Sequence, residues 1–384
     1  MTAELAPAVP ARAGRRMTVL VTGGAGFVGS HVCVALLERG HEVVVVDNYT
    51  NSSPLALTRV EKLAGRPLVA AHGVDLRDRP ALSAVFRRYP IDAVMHLAAR
   101  KAVAESWEMP TEYLDNNIGG ITGLLRAMSE RGVPRLVFSS SCSIYGDVDA
   151  VPVAEDCAAR PANPYAVSKW MCEQILVEAC RSSAGLTVSA LRYFNPIGAH
   201  ESGLLGEAPR GVAGNVMPNL MRVAVGRADR VSVYGADYPT VDGTPVRDYI
   251  HVMDVAEAHC VALEHLDRTG GGVRVVNLGT GVGTSVLELI DAFGVACGRP
   301  IPYTIGSRRN GDVTALVADP RRAAREWNWR TTRDLAAMCR DAWRFQRLHP
   351  TGYGAGTVPA ASAVPAAPAV PAASSVPAGP AEPR

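Results

Sequence analysis

Short β-branched and aliphatic runs alternate along this chain with longer stretches whose apolar positions recur every three or four residues. The runs Thr18–Thr22, Glu42–Asp47, Leu68–Val74, Ala93–Leu97, Leu136–Ser139 and Thr187–Arg192 read as strands. Between them, Gly29–Arg39, Asn116–Arg131 and Pro164–Arg181 read as helices. Strands alternating with helices predict an α/β fold, a Rossmann-type doubly wound parallel sheet covered on both faces. From about Pro196 the rhythm breaks. Glycine and proline become frequent, strands are shorter (Arg230–Tyr234, Val273–Leu278), and helices are interspersed. The expected division is a dinucleotide-binding domain over 17–195 and a smaller, mainly substrate-binding α/β lobe over 196–353, with later segments free to return to the first. Residues 1–16 read as a flexible extension. Residues 354–384 are almost all Ala, Pro, Val, Gly and Ser, with only Glu382 and Arg384 charged, and read as a disordered tail.

Composition narrows the function classes. The 384 residues carry 39 Lys and Arg against 37 Asp and Glu, a net charge of +2. No basic stripe stands out, so neither nucleic acid nor a membrane surface has an electrostatic footprint to bind. No apolar run approaches the roughly 18 residues of a membrane span, and the opening MTAELAPAVPARAGRR lacks the apolar core of a secretion signal. Eight scattered cysteines form no CxxC pair and read as buried thiols in a reducing compartment. A cytoplasmic protein without a metal site is expected. His96 and His251 read as packing or hydrogen-bonded histidines, because no HxH or HExxH spacing exists.

The strongest local signal is MTVLVTGGAGFVGSHVCVALLERGHEVVVVD. A strand runs into Gly23, Gly26 and Gly29 and then into a helix, and a second strand ends at Asp47, roughly 20 residues on. Glycines let the backbone approach a pyrophosphate, whose charge sits at the helix N-terminus. A lone triplet also fits a tight turn with close helix packing; the flanking strands and Asp47 favour a dinucleotide. The Asp47 carboxylate suits the adenosine ribose hydroxyls and repels a 2′-phosphate, so the cofactor expected is NAD. Asp75, after the third strand, either meets the adenine amino group or caps the following turn. Lys101 and Asn116 are either cofactor contacts or ordinary solvated side chains.

Two further segments carry chemistry. LVFSSSCSIYG is a strand ending in three serines, and NPYAVSK opens a helix after a proline. In Tyr165-x-x-x-Lys169 the two side chains share a helix face. Tyrosine is a poor base near its usual pKa of about 10; a neighbouring ammonium and a nicotinamide cation both favour the phenolate. Ser141, at the strand end, is placed to hold a substrate hydroxyl beside Tyr165. YxxxK alone is common by chance, but behind a dinucleotide fingerprint and a serine-rich strand end it reads as catalytic.

The pattern GxxGxxG, strand-end Ser and YxxxK is similar to the extended short-chain dehydrogenase/reductase superfamily. Within it the chain resembles the UDP-hexose 4-epimerase family, through TGGAGFVGSH, HLAARKAVAES, FSSSCSIYG, NPYAVSK, RYFNPIGAH, VYGADYPTVDGTPVRDYIHVMDVA and RRNGDVTALVADP. These span about Met17 to Tyr353. The resemblance implies Tyr165 as acid/base, Lys169 orienting the nicotinamide ribose and lowering the tyrosine pKa, and Ser141 bonding the sugar 4-hydroxyl. It implies NAD contacts at Gly23, Phe27, Val28, Asp47, Asn48, Asp75, Lys101, Asn116 and Tyr193. For the UDP-sugar it implies Asn195, Asn215, Tyr234, Arg247, Arg309 and Asp312, with Leu316 facing the sugar 2-substituent. A pyrophosphate needs cationic, bidentate partners, which suits Arg247 and Arg309 independently; otherwise each arginine is an ion pair, with Asp248 and Asp312 respectively. A homodimer is implied too, joined by Asn116–Arg131 and Pro164–Arg181, with Ile121, Leu124, Leu125 and Met128 either in that interface or packed on the sheet.

Some positions depart from the family pattern. Phe27 stands where Tyr is frequent, Arg100 and Ala104 lie in a stretch that often reads GLKAVGES, and Cys142-Ser143 replace a more usual Ala-Thr. Leu316 is shorter than the Tyr of the glucose-restricted form, which opens the site to N-acetylated sugars. A dehydratase would need an acid pair where Cys142 and Ser143 stand. A UDP-uronate epimerase would want an extra cation, and a non-catalytic NAD sensor would be expected to lose the Tyr or Lys.

Overall fold

The computed structural model describes residues 16–354 apart from 184, 211–213 and 269, so the expected terminal segments lie outside the described residues except for Arg16 and Gly354. In chain order the first half forms β1 (Thr18–Thr22), α1 (Phe27–Glu38), β2 (Glu42–Asp47), α2 (Pro54–Ala64), β3 (Ala70–Gly73), α3 (Arg79–Arg88), β4 (Ala93–His96), α4 (Val103–Glu108), α5 (Pro110–Arg131), β5 (Arg135–Ser139), α6 (Pro164–Ser182) and β6 (Thr187–Tyr193). Then follow β7 (Asn195–Ile197), α7 (Val216–Ala224), β8 (Val231–Tyr234), β9 (Val246–Arg247), β10 (Tyr249–His251), α8 (Val252–His265), β11 (Gly272–Leu278), β12 (Thr284–Ser285), α9 (Val286–Cys297), β13 (Tyr303–Gly306), β14 (Ala315–Leu316), α10 (Arg321–Trp327) and α11 (Leu335–Leu348).

Seven parallel strands make one sheet in the order β11-β6-β5-β4-β1-β2-β3. This is the doubly wound arrangement expected. The order reverses between β1 and β4, where a ligand crevice opens at the carboxyl ends of the strands. Each central strand is apolar on both faces, and its residues divide between two cores by strand alternation. Val19, Val21, Val43 and Val45 pack with α1 and α8, whereas Leu20, Val44 and Val46 pack with α3, α5 and α6. The remaining strands form small two- and three-stranded sheets. A third core, including Met217, Leu220, Leu289, Phe293 and Met338, lies under α7, α9 and α11.

Boundaries moved where local chemistry was polar. Helix α5 starts at Pro110 rather than Asn116, since proline at the first position supplies a helical φ and lacks only an orphan N–H. Ile121, Leu124 and Met128 are buried in the sheet-facing core, with Leu125 packed against it, which resolves that alternative in favour of the sheet. All eight cysteines are free, five buried and three half-buried. No group of metal-ligating side chains and no helix able to cross a membrane occurs among the described residues.

Candidate active site

The β1–α1 turn is built for close approach. Gly23 adopts φ +69°, and a Cβ there would fall 2.7 Å from the Ala98 nitrogen. A Cβ on Gly29 would fall 2.1 Å from the Gly23 carbonyl oxygen, so only glycine lets the helix seat on the turn. Gly26 caps α1 without a side-chain hydrogen bond, and Gly26, Phe27 and Val28 remain partly exposed. The first-turn amides therefore stay available to an anion. At the end of β2, buried Asp47 accepts from the Ala25 and Tyr49 amides and the Ser52 hydroxyl. Burial pushes its carboxyl up, with those hydrogen bonds pulling the other way.

Asn48 donates to Asp75 at 3.1 Å, and Arg77 pairs with the same carboxylate and holds it well below the usual range. Asp75 also caps the turn that follows it, accepting from the Arg77 amide at 2.9 Å, while Asp78 caps α3 by accepting from the Ala81 amide. Lys101 lies 6.0 Å from the centre of the Phe27 ring and pairs with Glu207 at 3.0 Å. Asn116 donates to Asn117, whose own amide ties α5 to Arg100 and Ser168. These groups suit a dinucleotide: a glycine turn under a helix start with no side-chain cap, and an acid at the end of the second strand.

The catalytic candidates converge at the mouth of β5. Ser141 follows the strand and its hydroxyl accepts from the Ser143 amide at 3.2 Å. Asn163 caps α6 through the Ala166 amide, which places Tyr165 in the first turn and Lys169 one turn on. Lys169 is buried and donates to the Ser139 carbonyl at 2.8 Å. Burial pushes its ammonium down to about 8. Burial also pushes the Tyr165 phenol up, Tyr193 adds to this, and a hydrogen bond with Ser141 acts against it. In the protein alone, desolvation therefore outweighs the groups that would lower the phenol. His96 bonds the Thr22 hydroxyl at 2.7 Å, and burial pushes it to about 3; it is a neutral structural histidine.

Beside this trio, all six residues expected to hold a nucleotide sugar, Asn195, Asn215, Tyr234, Arg247, Arg309 and Asp312, line a single cleft. Arg309 makes the bidentate pair with Asp312 and stands 5.3 Å over the Tyr234 ring. Arg247 is not paired with Asp248. That aspartate is fully buried and accepts from Thr280, Gly281 and Ala318, leaving Arg247 with no ion pair among the described residues. Leu316 lies outside the cleft lining, buried with Cys142, Tyr145, Val153 and Phe194 behind the strand end that carries Ser141.

Two residues escaped sequence reasoning. Glu173, one turn beyond Lys169, accepts from Ser140 and pairs with buried Arg192 at 2.6 Å, fixing the serine-bearing strand end. Its i+4 spacing from Lys169 is the signal that could have found it. Glu207 joins Lys101 and Asn215, and nothing in GLLGEAPRG marks it out.

Residues 19–279 match the model of the NAD dependent epimerase/dehydratase family. A UDP-glucose 4-epimerase of Schizosaccharomyces pombe is 47% identical over 340 residues, 88% of this chain and 96% of that protein. One from Bacillus subtilis is 48% identical over 337 residues, 88% of this chain and 99% of that protein. The crystal structure of UDP-glucose 4-epimerase from Bifidobacterium longum in complex with NAD+ and UDP superposes with a TM-score of 0.85 at 46% identity, covering 87% of this chain and 99% of that one. Sequence, sheet order and relatives agree: the chain belongs to the NAD dependent epimerase/dehydratase family, among its UDP-glucose 4-epimerases.

Proposed function

We propose that this protein is an isomerase that inverts C4 of a UDP-hexose, interconverting UDP-glucose and UDP-galactose with NAD as a retained cofactor. The observation that carries it is the meeting of Ser141, Tyr165 and Lys169 at one strand end, beside a cleft lined by Arg247 and Arg309. Gly23, Gly26, Phe27, Val28 and Gly29 would hold the cofactor pyrophosphate, Asp47 the adenosine ribose, and Asn48 and Asp75 the adenine side. Lys101, Asn116, Lys169 and Tyr193 would take the remainder. Bound there, NAD would supply the hydride acceptor and donor that inversion at sugar C4 requires.

The chain's own groups do the rest. Ser141 holds the 4-hydroxyl, and Tyr165 takes its proton and later gives it back to the same oxygen. Lys169 fixes α6 against the Ser139 carbonyl, which keeps Tyr165 in register with Ser141. Arg247 and Arg309 anchor the pyrophosphate, and Asn195, Asn215, Tyr234 and Asp312 bound the nucleotide, while the keto sugar turns about that anchor. Binding energy remote from the reacting carbon is thereby used to orient it.

The protein acts in the cytoplasm as a homodimer, its subunits meeting through the outer faces of α5 and α6, where Met171 is exposed and Leu114 half-exposed. N-acetylated UDP-hexoses are a second substrate class, which the shorter Leu316 would favour through the wall it forms with Cys142 behind Ser141 rather than by lining the cleft. The test is incubation of purified protein with UDP-galactose and no added NAD, followed by a glucose-specific readout. UDP-glucose should accumulate with endogenous cofactor; no product even after adding NAD would reject the reading.

A further inference from the structure

Glu207 is a charged residue whose side chain is 5% exposed, and its Oε2 has no partner among the described residues. Its Oε1 accepts from Lys101 Nζ at 3.0 Å and from Asn215 Nδ2 at 3.4 Å. Lys101 belongs to the side of the site that holds Phe27 and the glycine turn, and Asn215 lines the cleft with Arg247 and Arg309. One carboxylate therefore reaches both halves of the site.

The backbone that carries it is fixed from behind. The Tyr353 hydroxyl accepts from the Gly206 amide at 3.2 Å and donates to the Gly206 carbonyl at 3.0 Å. Gly206 lies so close to the Phe345 ring that a Cβ would stand 2.3 Å from it. Further on, Arg210 donates to the Tyr49 carbonyl at 3.1 Å, two residues after Asp47. The segment is thus pinned at both ends beside the carboxyl edge of the sheet.

A buried carboxylate oxygen without a donor is costly, and such an atom calls for a partner that a ligand or an ordered water supplies. The two side chains that share the other oxygen border the cofactor and nucleotide-sugar sites. The donors that a ribose or a hexose brings are hydroxyl groups. Resting on the epimerase reading above, we propose that Glu207 is a positioning residue whose Oε2 accepts a hydrogen bond from a ligand hydroxyl while its Oε1 holds Lys101 and Asn215 in place.

The experiment compares the purified holoenzyme with Glu207→Gln and, as a variant without any polar group, Glu207→Leu, each checked for native circular dichroism. Acid-released nucleotide gives the cofactor content per subunit after dialysis. Calorimetric titration gives the affinities for UDP and for UDP-galactose. If the donor is a hexose hydroxyl, UDP-galactose affinity falls about tenfold or more while UDP affinity holds. If it is a cofactor ribose hydroxyl, cofactor content falls and the two UDP ligands shift together. Variants that keep cofactor content and both affinities within about twofold of wild type would overturn the proposal. Turnover of UDP-galactose by the wild-type protein tests the epimerase reading separately, since the Glu207 effect is read from binding ratios.

Discussion

The Nζ of Lys169 donates to the carbonyl of Ser139 at 2.8 Å, so the helix carrying Tyr165 is tied to the strand end carrying Ser141. Both groups are buried, and the tie keeps a cation in a place that desolvates it.

Stability should therefore depend on pH through Lys169. Its folded pKa is pushed down from 10.5 to about 8 by burial. Between those values the unfolded chain binds more protons than the folded one, so stability rises with pH across that window. Below it, the folded state bears the full cost of the buried cation, roughly 3 kcal/mol at 1.36 kcal/mol per unit. Lys169→Met lacks this cost. Its unfolding free energy relative to wild type should fall by up to about 3 kcal/mol from about pH 7 to about pH 10 in urea titrations. A difference that is flat with pH would reject the account.

Tyr165→Phe removes the proton acceptor and keeps the ring. Turnover of UDP-galactose should drop by about a hundredfold to ten-thousandfold, the range for a positioned acid/base group. Cofactor content and melting temperature should change little, because the ring is kept and the lost hydrogen bond is the one with the Ser141 hydroxyl at the site. Retained turnover would move the proton transfer to another group.

Arg247 has no ion pair among the described residues, and it lines the cleft where a ligand phosphate would sit. Arg247→Ala should weaken UDP binding about tenfold or more, as a lost charge-assisted hydrogen bond does. Arg247→Lys should recover only part, since an ammonium cannot grip two oxygens in a planar fork. Calorimetry with UDP measures both. Equal affinity for wild type and Arg247→Ala would place the phosphates elsewhere.

Leu316 packs with Cys142 in the apolar wall behind the strand end that carries Ser141. Leu316→Tyr should lower turnover of UDP-N-acetylgalactosamine by about tenfold or more relative to UDP-galactose, the effect of overfilling a packed site by 1–3 kcal/mol. A wild-type protein inactive on the acetylated sugar would remove the basis for this expectation.

What was legible in the sequence was local. The glycine turn, Asp47, the serine-bearing strand end and YxxxK are each set by a few neighbouring residues, and the parallel sheet follows from strands apolar on both faces. What was hidden depended on residues far apart. Arg247 and Asp248 are neighbours that read as a candidate pair, yet Asp248 is fully buried and taken by Thr280, Gly281 and Ala318, away from the cleft that Arg247 lines. Asp75 does cap the turn after it through the Arg77 amide, but its bonds to Asn48 and the Arg77 guanidinium come from side chains whose geometry the local pattern does not set. Glu207 draws its surroundings from Lys101, Asn215 and, through Gly206, Tyr353, and no window of sequence holds them together.

Strand β11 lies at the end of the main sheet, beside β6, and α8 supplies Val255, Ala256, Ala258 and Leu263 to the core that also buries α1. During synthesis the β6 edge and one apolar face of the sheet stay uncovered until Leu278 has left the ribosome. A chain stopped anywhere before that point presents an open strand edge and exposed valines, the features that feed aggregation. A nonsense or frameshift lesion in the first 270 residues is therefore expected to yield debris for proteolysis rather than a smaller working enzyme.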